Sequence, residues 1–362
     1  MSATSPSEAR PVAADGPPRS LCLLRLSAIG DTCHVVPLIR TLQHAWPDCR
    51  ISWIIGRVEA KLMQLVPDVE LIPVDKRQPR REWMRLRREL RGRRFDALLH
   101  LQLSLRASLL STAVRADRKL GFDRARAREL QWLFTNARVP ARRREHVLDS
   151  FLGFAAALGA RERVIEWNLA IPEDAQAYAC GLIPDDRPTL VINPASSHRL
   201  RNWEPKRYAA VADHAATRHG MRVILCGGPG VHERELGAAI AAAATTPLVD
   251  QIGRDTLPQM LALLARATAL LAPDTGPVHM ATAVGTPVIG LYAATNPERS
   301  GPYLSRAWCV DRYPEAAQRF LGKTPEELPW WTKIERPGVM NLIETDAVTE
   351  RLDALMQART PR

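Results

Sequence analysis

The sequence predicts an α/β protein built from two successive doubly wound parallel sheets. Three observations lead there. Short apolar runs alternate with stretches of helical spacing, the pattern of strands joined by crossover helices. The alternation pauses in a polar, proline-bearing stretch, Ile171–Pro188, and restarts at Thr189. The chain has 362 residues, 46% of them hydrophobic, enough for two domains with cores of their own.

In the first half, Leu21–Leu26 reads as a buried first strand, followed by the turn Ser27-Ala28-Ile29-Gly30-Asp31 and a helix through about Ala45. Cys49–Ile55 and Glu70–Val74 are the next strands. Arg80–Arg91 is helical, with Trp83, Leu86 and Leu90 on one face and arginines around the rest. Phe95–Leu101 is a strand, and Ser104–Val114 and Ser150–Leu158 are helices. In the second half, strands are expected at Thr189–Asn193, Arg222–Cys226, Ala269–Ala272 and Val288–Tyr292. Helices are expected at Lys206–His219, Glu233–Ala243, Leu257–Ala265 and, for about three turns, after Asp274-Thr275. Beyond Asn296 the chain reads as irregular until a last helix, Asp346–Gln357. The expected divisions are a disordered tail, 1–19, a first domain, 20–170, a linker, 171–188, a second domain, 189–345, and a C-terminal helix and tail, 346–362.

Composition narrows the function classes. No apolar run approaches the roughly 20 residues that span a bilayer, and the Pro/Ala/Ser-rich start lacks the apolar centre of a signal peptide, so a cytoplasmic protein is expected. The six cysteines (Cys22, Cys33, Cys49, Cys180, Cys226, Cys309) form no CxxC pair or metal-spaced cluster, so they read as reduced packing residues and no metal site is expected. Fifty Lys+Arg against 39 Asp+Glu give a net charge of +11, which favours polyanionic partners. The excess is concentrated in the first half, with ten basic and two acidic residues between Lys76 and Arg94 and a second basic region from Arg115 to Arg144.

Ligands of doubly wound folds bind beyond the carboxyl ends of the strands, so the turns there carry the chemistry. The turn after Leu26 has one glycine and is not a GxGxxG dinucleotide fingerprint, which argues against an oxidoreductase. Asp31 reads either as a helix cap or as a general base. The stretch Asn193–Trp203 combines Ser196 and Ser197 with Arg199 and Arg201, groups that bind a diphosphate and stabilise a charged leaving group. It can equally be a solvated loop with Trp203 packed beneath it. Glycine-rich Gly227–Gly230 is followed by Glu233, a ribose-contact candidate or a plain surface glutamate. Asp274-Thr275-Gly276 stands at a strand end and helix start, where one side chain can cap the helix while the amides and dipole favour an anion. His279 lies one helical turn further on.

Together these residues resemble glycosyltransferase family 9, the bacterial heptosyltransferases of lipopolysaccharide core assembly. The carriers are Arg25–Asp31, Asn193–Trp203, and Asp274-Thr275-Gly276-Pro277-Val278-His279 with Gly285-Thr286-Pro287. The resemblance implies the GT-B architecture, two Rossmann-like domains facing a central cleft, and an inverting, metal-independent transfer from a nucleotide sugar, ADP-linked by first choice. It implies Asp31 as catalytic base and Arg201 as a catalytic cation. Ser196, Ser197, Arg199, Glu233, Asp274, Thr275, Gly276 and His279 are implied as donor-binding. Ser27 and Gly30, with Arg85 and Arg88 of the basic helix, are assigned to an acidic glycolipid or glycan acceptor. The same basic surface could instead touch the anionic inner membrane or be a solvated arginine-rich face. Where several family members have lysine, this chain has Arg201 before Asn202-Trp203. Two competing readings remain. Another nucleotide-sugar enzyme of this architecture, such as an epimerase, would share the second-domain site. A nucleic-acid-binding protein would use the charge, although no stacking platform or recognition motif is present.

Overall fold

A computed structural model describes residues 16–359. The chain divides into two compact units, one ending at Trp167 and the other starting at Asn168.

The first unit runs β1 (Ser20–Leu24), α1 (Ile29–Ala45), β2 (Arg50–Gly56), α2 (Arg57–Met63), β3 (Val69–Val74), α3 (Pro79–Glu89), β4 (Phe95–His100), α4 (Leu105–Ser111), β5 (Ala116–Gly121), β6 (Ala137–Arg138) and α5 (Val147–Leu158). Its six strands are all parallel, in the order β3-β2-β1-β4-β5-β6. Leu21, Cys22, Leu23 and Leu24 of β1 are fully buried, because helices cover both faces of a parallel sheet and its central strand must be apolar throughout. Most of the expected tail, 1–15, lies outside the described residues. Its end is ordered, since the Arg19 and Ser20 amides donate to Asp96 at 2.7 and 2.8 Å.

The second unit runs α6 (Glu173–Leu182), β7 (Thr189–Ile192), α7 (Pro205–His219), β8 (Arg222–Leu225), α8 (Val231–Ala243), β9 (Val249–Asp250), α9 (Leu257–Arg266), β10 (Ala269–Pro273), α10 (Gly276–Ala283), β11 (Val288–Tyr292), α11 (Pro297–Ser300), β12 (Val310–Asp311), α12 (Tyr313–Leu321) and α13 (Thr345–Ala358). Its parallel sheet has the order β12-β11-β10-β7-β8-β9. Read from the other edge, this is the connectivity of the first sheet repeated. In each unit the order reverses next to the first strand, between β1 and β4 and between β7 and β10, which is where doubly wound sheets bind ligands.

Four expectations need correction. The expected linker 171–188 contains α6, which packs Ala175 and Ala179 against Ala262 of α9 and so belongs to the second unit. Two small residues four apart leave no apolar stripe in the sequence to announce such a helix. The basic region after Arg115 begins with β5, whose ADRKLG sequence buries only Leu120 and Gly121. The stretch beyond Asn296 holds α11, β12 and α12, the last burying Tyr313, Ala316 and Ala317. Helix α10 has eight residues, closer to two turns than three. At the far end, His214 and His219 both bond Asp353 Oδ1, at 2.7 and 2.6 Å, clasping α13 to α7.

Candidate active site

In the first unit, the turn after β1 is built around Arg25. This arginine is 9% exposed, donates through Nη1 to the Leu101 carbonyl at 2.6 Å, and lies over the Phe151 ring at 5.3 Å. Its Nη2 forms an ion pair with Asp31. Asp31 Oδ2 also accepts from the amide of Ala28, the residue preceding α1, at 3.3 Å, so the carboxylate closes the helix start while its side chain keeps 33% of its surface exposed. Gln102, beyond the end of β4, accepts the Leu26 amide at 3.0 Å and reaches the Ser27 amide at 3.4 Å, tying the two strand ends that flank the switch point. Ser27 is half-buried and Gly30 buried in the first turn of α1.

The two arginines assigned to the acceptor differ. Arg85 is turned inward, bonding Glu82 at 2.8 Å, the Pro73 carbonyl at 2.7 Å, and Glu89. Those bonds satisfy most of its guanidinium within the unit, so it is a fastening of α3 rather than an open acceptor contact. Arg88 is exposed, and its guanidinium has no hydrogen-bond or ion-pair partner among the described residues.

In the second unit, the ends of β7 and β10 are stitched together. Thr275 Oγ1 donates to Asn193 Oδ1 at 3.2 Å, and Asn193 Nδ2 donates to the Cys226 carbonyl at 3.1 Å. Ser196 donates its amide to Asn202 Oδ1 at 2.7 Å and its hydroxyl to the Asp274 carbonyl at 3.1 Å. Ser197 and Arg199 stand exposed at the loop tip. Trp203 is buried below, its indole N–H on the Ile343 carbonyl at 3.0 Å, so loop and packing readings of this stretch are both realised.

Thr275 takes the position before α10, but its hydroxyl goes to Asn193 and no side chain caps the helix. The expected Thr275 cap is therefore absent; the Val278 amide donates to the Thr275 carbonyl at 3.2 Å, and the positive end of the helix dipole stays at this turn. Gly276 is half-buried and His279 is buried behind this turn. Glu233 folds back over the glycine-rich loop. A Cβ at Gly228 would lie 2.9 Å from its Oε1, and one at Gly230 would collide with its Oε2. The glycines thus make room for the carboxylate at the carboxyl edge of β8.

Arg201 is the most constrained cation of the loop. It is 9% exposed, and its Nε and Nη2 bond Glu335 Oε1 at 2.8 and 2.6 Å while Nη1 lies 3.6 Å from Asp274 Oδ2. Burial works to raise the Glu335 pKa, but the bond and charge of Arg201, with His198 and Lys333, outweigh it and hold the carboxyl below its usual range. Elsewhere in this unit, within electrostatic reach of Cys226 and Tyr178, Asp255 is pushed up to about 6 by burial, and its Oδ2 has no hydrogen-bond partner among the described residues.

The sequence model of glycosyltransferase family 9 (heptosyltransferase) matches residues 83–330. The lipopolysaccharide core heptosyltransferase OpsX of Haemophilus influenzae is 39% identical over 338 residues, covering 93% of this chain and 97% of that protein. The chain belongs to glycosyltransferase family 9. Among solved structures, a family 9 glycosyltransferase from Veillonella parvula superposes with a TM-score of 0.78 at 21% identity, covering 94% of this chain and 98% of that one. Escherichia coli heptosyltransferase WaaC with ADP gives 0.74 at 22% identity, over 93% and 99%. Those likenesses establish the fold, the GT-B class of two Rossmann-like domains.

For this family 9 glycosyltransferase, sequence reasoning reached the turns but missed the residues that hold them. In the sequence Arg25 stands out only as part of the Arg25–Asp31 motif, Gln102 carries no signal, and Glu335 and Lys333 lie in a stretch without periodicity. Glu335 meets Arg201 across 134 positions, a pairing that no local pattern carries.

Proposed function

We propose that this glycosyltransferase moves a heptose from an ADP-linked donor to a lipopolysaccharide core acceptor, inverting the anomeric carbon. The observation that carries the reading is the 39% identity to a lipopolysaccharide core heptosyltransferase along nearly the whole chain. The site supports it in chemistry. The second unit offers an uncapped helix start, hydroxyls, amides and arginines at one sheet edge, a set suited to a nucleoside diphosphate. The first unit offers one part-exposed carboxylate held by a buried guanidinium.

In the proposed step, an acceptor hydroxyl oxygen attacks the anomeric carbon as Asp31 takes its proton. The bond from that carbon to the β-phosphate oxygen breaks, and ADP leaves with the electron pair. Arg25 orients Asp31 through their ion pair. The α10 start and Arg199 receive the growing negative charge, with Arg201 held beside them by Glu335 and Asp274, so transfer proceeds without a metal ion. Ser196, Ser197, Thr275, Gly276, Asp274 and His279 shape the diphosphate site, and Glu233 accepts from the ribose. Ser27, Gly30 and Arg88 face the acceptor side of the chemistry.

No helix among the described residues is long and apolar enough to cross a membrane. The exposed arginines around Arg88 fit a protein that works in the cytoplasm at the anionic inner-membrane face, where an acidic glycolipid acceptor is anchored.

The test is ADP release from ADP-heptose, measured with and without a heptose-free core acceptor and with and without EDTA. Acceptor-dependent release unaffected by EDTA is expected. Epimerisation or hydrolysis of donor without acceptor would replace this reading with the epimerase alternative, and loss of activity in EDTA restored by a divalent ion would remove the metal-free step.

A further inference from the structure

Resting on the reading of the second unit as a nucleoside-diphosphate site, we infer that Lys333 is the cation that meets the β-phosphate, with Arg201 as the positioning group beside it. The sequence pointed to Arg201 for that role, but Arg201 is buried and committed. Two of its nitrogens bond Glu335 and a third faces Asp274. One guanidinium between two carboxylates leaves this part of the edge with a surplus negative charge, which would repel a diphosphate.

Lys333 corrects that balance. It is solvent-accessible, and its ammonium has no hydrogen bond or ion pair among the described residues. It nevertheless lies within electrostatic reach of Arg201, Asp274, Glu335 and Arg299. Crowding by protein, then the Arg201 charge, lowers its pKa from the ordinary lysine value, while the Asp274 and Glu335 carboxylates work against that shift. An amine in such surroundings gains from a further anion.

Its position is fixed from both sides. The Thr332 carbonyl accepts from the Tyr313 hydroxyl at 3.1 Å, and the Ile334 amide donates to the Ala294 carbonyl at 2.7 Å. Ala294 follows the carboxyl end of β11, the strand paired with β10, and Ile334 is buried. Glu335, two residues beyond Lys333, is the Arg201 partner. The backbone therefore presents Lys333 at the same sheet edge as Asp274 and Thr275, with a flexible four-carbon stem to reach a phosphate.

The experiment compares ADP and AMP binding by calorimetry in the wild type, Lys333→Met and Lys333→Arg, with thermal melting as a fold control. Lys333→Met is expected to weaken ADP binding at least tenfold and AMP binding less than twofold, because only ADP carries the β-phosphate. Lys333→Arg should restore most of the ADP affinity. Equal losses for ADP and AMP, or ADP affinity unchanged in Lys333→Met, would overturn the assignment while leaving the donor site standing. A wild type that binds no nucleoside diphosphate would overturn the donor reading and this assignment together.

Discussion

The two units carry one strand connectivity and opposite charge logic. At the switch point of the first sheet, a buried arginine holds a part-exposed aspartate. At that of the second, Glu335 and Asp274 hold a buried arginine, next to an uncapped helix start and an accessible lysine. In the first unit the cation is structural and the acid is offered to solvent. In the second the acids are structural and positive groups are offered. The fold supplies two equivalent edges, and a handful of turn residues decides that one suits a proton acceptor and the other an anion.

The largest effect should come from removing the offered acid. Asp31→Ala is expected to lower kcat by about 10²–10⁴-fold, the range for loss of a general base, while ADP affinity stays within twofold. Turnover near that of the wild type, measured by ADP release with saturating donor, would end the contrast between the two edges as a division of labour.

Next is the cation of the second edge. Arg201→Met leaves Glu335 and Asp274 facing each other without their shared partner and should cost about 3 kcal/mol of stability in urea unfolding. Glu335→Gln keeps an acceptor for the Arg201 bond and should cost about 1 kcal/mol. An unfolding midpoint unchanged in Arg201→Met would show that the two carboxylates do not depend on this arginine for the stability of the second edge.

A further effect, confined to one pH window, sharpens the comparison. Asp255 is raised to about 6, above the roughly 3.9 of an unfolded aspartate, so the native state binds its proton more tightly than the unfolded state. Its contribution is therefore most favourable in acid and is lost as pH rises from about 4 through 6. Asp255→Asn, which imitates the protonated form, should stabilise the protein by about 2 kcal/mol at pH 7.5, with the gain vanishing below about pH 4. Melting temperatures across that range are the measurement, and a gain independent of pH would mean that burial of the charge is not its source.

Much of the site was legible because its parts are short and contiguous. Leu21–Leu24 and Ala269–Ala272 read as buried strands since parallel sheets bury both faces, and the turns that follow them then had to be searched. Asp31, Ser196, Arg201 and Thr275 are the candidates those turns offer. The supporting residues were not, because a carboxylate such as Glu335 has no periodic signature and gains its meaning only from Arg201, far away in sequence. Helix α6 and strand β5 escaped for a related reason. One buries two alanines and the other carries charges along most of its length, so neither contrasts with a loop.

The Arg201–Glu335 pairing also bears on how this protein can be recombined with its relatives. The Asn193–Trp203 loop looks like a self-contained cassette, but its buried guanidinium is matched by a carboxylate in the stretch after α12, beyond the residues 83–330 that the family match covers. A chimera that exchanges the loop alone separates the two halves of one electrostatic unit. The smallest exchangeable module is discontinuous, and it includes residues 333–335.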